Sequence, residues 1–161
     1  MINIIGGKYK RKKLEVPSKQ VRPTSAKKRE AIFSVLESYA IKEDFDLYNN
    51  KCFIDLFAGS GSLGLESISR GAFFSYFYEN QTDICEILLK NCKNLCEEEK
   101  FEIICRDITL LQKINVNYYL SAIFIDPPYK FKFFNEILLT IINSNILQKN
   151  SFIIIETSKV N

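Results

Sequence analysis

Histidine and tryptophan are absent from all 161 residues, and methionine occurs once. The missing imidazole removes Ser-His and Cys-His nucleophilic catalysis, so any proton handling falls to carboxylate, Lys, Tyr, backbone or water. Five cysteines (Cys52, Cys85, Cys92, Cys96, Cys105) include no Cys-x-x-Cys pair. Without histidine beside them they read as buried free thiols, and no metal is expected. No run of 18 apolar residues occurs, which argues against a membrane helix. The first residues also lack the apolar core of a secretory signal, so a cytoplasmic location is expected.

What remains is the composition of an ordinary globular chain, 47% hydrophobic and 25% charged. A chain of this length buries roughly 68–70% of its unfolded surface around one main core. The formal net charge of +3 is unevenly distributed: Lys8 to Arg29 holds ten Lys or Arg and one acid, Glu15, giving +9 against −6 elsewhere. So concentrated a basic segment points to a polyanionic partner, nucleic acid before a merely solvated face.

Residues 1–45 read as a basic N-terminal hairpin and helix, and residues 50–161 as the main domain. Ile2 to Ile5 is β-prone, Gly6-Gly7 is a turn, and Tyr9 to Val16 returns as a basic strand. Ser25 N-caps a helix whose apolar face is Ile32, Val35, Leu36 and Tyr39. Lys27, Lys28 and Arg29 fall in its first turn, where cations are disfavoured unless an anion lies nearby. Lys42 to Lys51 reads as a linker. Strands then alternate with helices: strands at 52–57, 73–79, 101–105, 121–126 and 151–156; a helix from Ser62 to Arg70 closed by Gly71; a second started by Asp83 and Glu86, with Ile84, Ile87, Leu88 and Leu95 inward; and a third with Phe134, Ile137, Leu138, Ile141 and Ile142 inward. This predicts an α/β fold, a mostly parallel sheet with helices on both faces. The last strand, Phe152-Ile-Ile-Ile155, would be an exposed apolar edge requiring cover.

Two motifs carry the chemistry. Asp55-Leu-Phe-Ala-Gly59-Ser-Gly61-Ser-Leu-Gly64 is a glycine-rich turn between strand and helix, with Glu79 placed at the next strand end to accept from ribose hydroxyls. The turn alone does not separate a dinucleotide from another nucleoside cofactor. Asp55, however, would repel a pyrophosphate and suits a ligand with a cationic amino-acid end, such as S-adenosylmethionine. Asp107 ends the third strand, with its carboxylate available to an adenine amine and Ile108 available to the ring. Asp126-Pro127-Pro128-Tyr129 closes the fourth strand. Neither proline can donate to a ladder, so a carboxylate, two carbonyls and an aromatic ring are left at a strand's C-terminal end, where ligands of open α/β sheets bind. Hydrogen bonds from a base amine to Asp126 and the Pro127 carbonyl would localise its lone pair toward a methyl donor, with Tyr129 stacked on the base.

In combination these residues resemble the bacterial 16S rRNA (guanine-N2)-methyltransferases. The resemblance rests on Ile5-Gly-Gly-Lys8, Lys13-Leu14, Arg22-Pro-Thr-Ser25, Arg29-Glu30, the Asp55–Gly61 turn, Leu63-Gly-Leu-Glu66, Ser69-Arg-Gly71, Glu79, Asn91 and Asp126–Tyr129, in that order. It implies a Rossmann-like, S-adenosylmethionine-dependent enzyme acting on 16S rRNA of the assembling small subunit. Asp55, Phe57, Ala58, Gly59, Ser60, Gly61, Glu79, Asn80, Asp107 and Ile108 would hold the cofactor. Asp126, Pro127, Pro128 and Tyr129 would hold the guanine. Lys8, Lys10, Arg11, Lys12, Lys13, Arg22, Thr24, Lys28 and Arg29 would meet RNA. The Asp-Pro-Pro-Tyr motif is shared with adenine-N6 methyltransferases, so a DNA or other RNA amino-methyltransferase is the alternative. A nicotinamide oxidoreductase and a non-catalytic RNA binder are remoter ones. The family usually continues into a final antiparallel hairpin, which is expected to be missing here.

Overall fold

The computed structural model describes residues 1–18, 24–128 and 131–157. Strands β1 (Ile2–Asn3) and β2 (Lys13–Leu14) form a short antiparallel ribbon with Ile2 opposite Leu14. Helix α1 (Ala26–Lys42) follows, its Ser25 hydroxyl accepting from the Lys28 N–H as an N-cap should. Then come β3 (Lys51–Asp55), α2 (Ser62–Arg70), β4 (Phe74–Glu79), α3 (Thr82–Leu95), β5 (Phe101–Cys105), β6 (Tyr119–Ile125), α4 (Phe134–Asn143) and β7 (Phe152–Ile155). The last five strands make one all-parallel sheet in the order β5-β4-β3-β6-β7. This is the Rossmann-like architecture expected, with the small antiparallel hairpin beside it.

Because strand side chains alternate, the sheet has two distinct faces. Phe53, Ala122 and Phe124 pack against Phe33, Leu36 and Ala40 of α1, while Phe77 packs against Leu65, Ile68 and Leu88 of α2 and α3. Cys52, Ile54, Tyr76, Ile123 and Ile125 face the other way, against Ile137 and Ile141 of α4. Ile4 and Leu14 of the hairpin belong to the α2–α3 cluster. No helix among the described residues is long and apolar enough to cross a membrane.

Several expectations are corrected. The inward face of α1 is Arg29, Phe33, Leu36 and Ala40, with Val35 68% exposed, so the stripe lies one position away from the one hydropathy picks. The segment read as a linker contributes Leu47, Phe45 and Tyr48 to the core. Helix α3 begins at Thr82 after Gln81, with Asp83 in its first turn and no side-chain cap. On α4, Ile142 points outward at 60% exposure and Thr140 takes a buried position. Cys85 and Cys105 form a disulfide, their Cα atoms 6.2 Å apart and within bridging reach. The other three cysteines are free and buried. On β7, Phe152 and Ile154 pack against the α1-side core, but Ile153 and Ile155 remain 36% and 40% exposed.

Candidate active site

Every strand of the sheet delivers a carboxylate at or just past its C-terminal end. Across the sheet these are Asp107, Glu79, Asp55, Asp126 and Glu156. The order in which strands are added reverses between β3 and β6, since β4 and β5 extend the sheet to one side of β3, and β6 and β7 to the other. Asp55 and Asp126 therefore straddle the switch point, the crevice where open α/β sheets bind ligands. Among the described residues no cluster of His, Cys, Asp or Glu is arranged to hold a metal.

Asp55 is 2% exposed, and its Oδ1 has no hydrogen-bond partner among the described residues. Burial pushes its carboxyl up to about 7, with Asp126 adding to the rise and the Phe57 and Gly64 N–H groups opposing it. The glycine turn beside it is built for tight approach. Gly59 and Gly61 have φ of 53° and 82°, and a Cβ on Gly61 would meet Leu88 Cδ1 at 2.5 Å. Glu79 locks the turn to β4: its Oε2 accepts from Gly59 N–H at 3.0 Å, and its Oε1 from Asn80 and Gln81 N–H at 2.9 and 3.1 Å. Asp107 Oδ1 accepts from the Thr109 N–H and hydroxyl, capping a short 3-10 turn. Those bonds hold it below the usual carboxylate range. Ile108 is buried in the α4-side cluster, 2% exposed. Phe57, half-buried, meets Phe131 edge-on at 5.0 Å, an aromatic contact that sequence reasoning missed.

Asp126 is half-buried. Its Oδ2 accepts from the Thr24 hydroxyl at 2.5 Å across 102 residues of sequence. Burial lifts its carboxyl above the ordinary range; Thr24 opposes the rise, neighbouring Glu156 adds to it and Lys28 opposes it. Lys28 Nζ pairs with Glu156 Oε1. Glu156 was not singled out from sequence; the only signal for it is its position directly after an apolar strand. Pro127 is half-buried and Pro128 exposed.

The N-terminal hairpin is fastened to this site by buried polar bonds. Glu66, 0% exposed, accepts from Ile5 and Gly6 N–H at 2.9 and 2.8 Å and from Arg70 Nε. Ser69 binds Gly6 and Tyr9, and Asn91 joins Glu15 to the Ser60 carbonyl of the glycine turn. Lys8, Lys10, Arg11, Lys12, Lys13 and Lys28 are all exposed. Arg29 is not: at 1% exposure its guanidinium donates to the Thr24 and Asn3 carbonyls, so it is corrected from an RNA contact to an internal brace. Arg22 and Tyr129 lie outside the described residues. A groove of about 350 Å³ runs between hairpin and α1, lined by Lys10, Arg11, Thr24 and Ser25 among others, and the Thr24 hydroxyl that lines it donates to Asp126.

Comparison with known proteins agrees with this geometry. The family model described as Conserved hypothetical protein 95 matches residues 2–161. "Ribosomal RNA small subunit methyltransferase D" of Haemophilus influenzae is 32% identical over 98% of this chain and 79% of its own length. The protein of that name from Buchnera aphidicola of Acyrthosiphon pisum is 36% identical over 98% and 78%. A crystal structure of a putative methylase from Haemophilus influenzae superposes with a TM-score of 0.72 at 28% identity, covering 99% of this chain and 84% of that one. With its residues 2–161 matched by the family model, the chain belongs to the Conserved hypothetical protein 95 family, and the proteins named ribosomal RNA small subunit methyltransferase D are its relatives.

Proposed function

We propose that the protein transfers a methyl group from S-adenosylmethionine to the exocyclic N2 of a guanine in 16S rRNA of the assembling small ribosomal subunit. The observation that carries this is the pairing of two carboxylates, Asp55 with the glycine turn on β3 and Asp126 on β6, across the switch point. The named relatives act, by their names, on small-subunit ribosomal RNA.

The site suits the donor. A buried carboxylate with an orphaned oxygen is matched to a cationic amino-acid end, and the turn at Gly59 and Gly61 lets backbone come close to a ligand. Glu79, Asn80 and Asp107 line up along the same rim to hold the nucleoside portion. When bound, S-adenosylmethionine supplies a methyl on a cationic sulfur, which needs no prior strong base. The chain's own task is to present the amine. Asp126 and the Pro127 carbonyl accept its hydrogens and localise its lone pair, Tyr129 stacks on the base, and the proton leaves to Asp126 or water. Lys8, Lys10, Arg11, Lys12 and Lys13, with the groove toward Thr24, form the face that meets RNA phosphates.

The test is methyl transfer to assembling small subunits, with the product base identified by mass spectrometry. N2-methylguanosine is the expected product. N6-methyladenosine, or transfer only to duplex DNA, would overturn the reading.

A further inference from the structure

We propose that Glu156 is the residue that selects guanine over adenine, by accepting the N1–H beside the reacting amine; this rests on the guanine-N2 reading above. Strand β7 runs parallel to β6 with Ile155 beside Ile125, and the Glu156 N–H continues the ladder to the Ile125 carbonyl at 2.9 Å. Asp126 and Glu156 are thus next neighbours just past two adjacent strands. The alternation of each strand sends both toward α1, as it does Phe124 and Ile154. From α1 and its approach come their partners: Thr24 on Asp126, Lys28 on Glu156.

Asp126 has one oxygen on Thr24, and its carboxyl lies within hydrogen-bonding reach of Glu156, so the two side chains face a bound base as a pair. The Watson–Crick edge of guanine sets two donors side by side, N2–H and N1–H, followed by the O6 acceptor. Adenine instead flanks its amine with the N1 lone pair. An ionised carboxylate only accepts, so Glu156 next to Asp126 completes a two-acceptor set that fits guanine and opposes an adenine in the same pose. Lys28 keeps further protons beyond the one given to Glu156, which suit O6. The Glu156 side chain is 35% exposed, so a base can reach it. A motif common to guanine and adenine enzymes thereby gains its discrimination from the neighbouring strand. Sites that hydrogen-bond a substrate group reject analogues lacking it far more strongly than apolar pockets do.

The experiment uses small subunits assembled on 16S rRNA that carries, at the guanosine the protein methylates, either guanosine or 2-aminopurine riboside. The analogue keeps the 2-amine but has a lone pair at N1. Wild-type kcat/KM should fall by about 30-fold or more on the analogue. Glu156→Gln, whose amide can donate to that lone pair, should shrink the gap to about fivefold or less while binding S-adenosylmethionine normally. A wild-type gap under about threefold, or an unchanged gap in a Glu156→Gln protein that still binds S-adenosylmethionine, overturns the inference and leaves the parent function standing. If the variant does not fold, the wild-type ratio decides alone. No N2-methylguanosine on the unmodified subunits would instead sink the parent reading, and this inference with it.

Discussion

At the scale of single residues, the site turns on carboxylates whose surroundings differ. Asp126→Ala should reduce methyl transfer to assembling subunits by about 100-fold or more, since it removes an acceptor needed as the amine attacks. Cofactor binding by calorimetry should stay near normal, and near-normal turnover would refute the role. Asp55 gives a pH signature. Its folded-state pKa is raised to about 7, so the stability it contributes is fully present below its ordinary value and is lost as pH rises through about 7. A cationic ligand needs the ionised form, so S-adenosylmethionine affinity should rise with pH across the same range. Binding below pH 7 should release a proton, measurable in buffers of different ionisation heat; a pH-independent affinity counts against Asp55 as its partner. Both carboxylates were legible in the sequence, because each sits beside glycine or proline, which mark a strand end. Glu156 was not, since nothing local distinguishes it from any acid after a strand. Its meaning comes from strand order, which brings β7 beside β6.

At the scale of elements, the hairpin, α1 and α2 act together. The notable error was the face of α1. Hydropathy favours Val35 and Tyr39, but Arg29 occupies the inward stripe, where two backbone carbonyls accept from its terminal nitrogens while its Nε has no partner among the described residues. A hydrophobic pattern cannot register a buried cation whose acceptors come from distant chain. The resemblance motifs at Ile5–Lys8, Glu66 and Ser69–Gly71 prove to be the two halves of one clasp. Glu66→Ala leaves the Ile5 and Gly6 N–H groups without their acceptor and Arg70 with Glu37 as its remaining carboxylate, so it should destabilise the protein by about 3 kcal/mol. Cleavage within residues 1–18 by limited proteolysis should rise; an unchanged melting temperature would argue against the clasp. Charge reversal at Lys12 and Lys13, both exposed on or next to β2, should weaken RNA binding and lower the slope of log affinity against log salt by about 2. An unchanged slope would exclude phosphate contacts there.

At the scale of the whole molecule, the element types and the parallel sheet followed from alternating apolar runs and helical stripes, with boundaries in the main sheet shifted by a residue or two; the returning strand read as Tyr9 to Val16 is only Lys13–Leu14, and the strand order came from the structure alone. What was hidden was what packs across the sheet, such as Leu47 from a polar-looking segment. The open edge was foreseen and is present: among the described residues β7 pairs only with β6, and Ile153 and Ile155 remain partly exposed. Such an edge favours association. Ile153→Lys should lower concentration-dependent self-association in light scattering with little loss of melting temperature, and unchanged scattering would show that this face is not the sticky one.

The clasp also has a history within each molecule's synthesis. Ile5 and Gly6 wait for Glu66, Glu15 for Asn91, Thr24 for Asp126, and Lys28 for Glu156. A ribosome makes the basic segment before its partners, so these contacts close in turn, those with Asp126 and Glu156 only after the Glu66 and Asn91 ones. Until then the +9 segment is uncommitted beside the polyanion that is translating it, and the Asp126–Glu156 side of the site is incomplete.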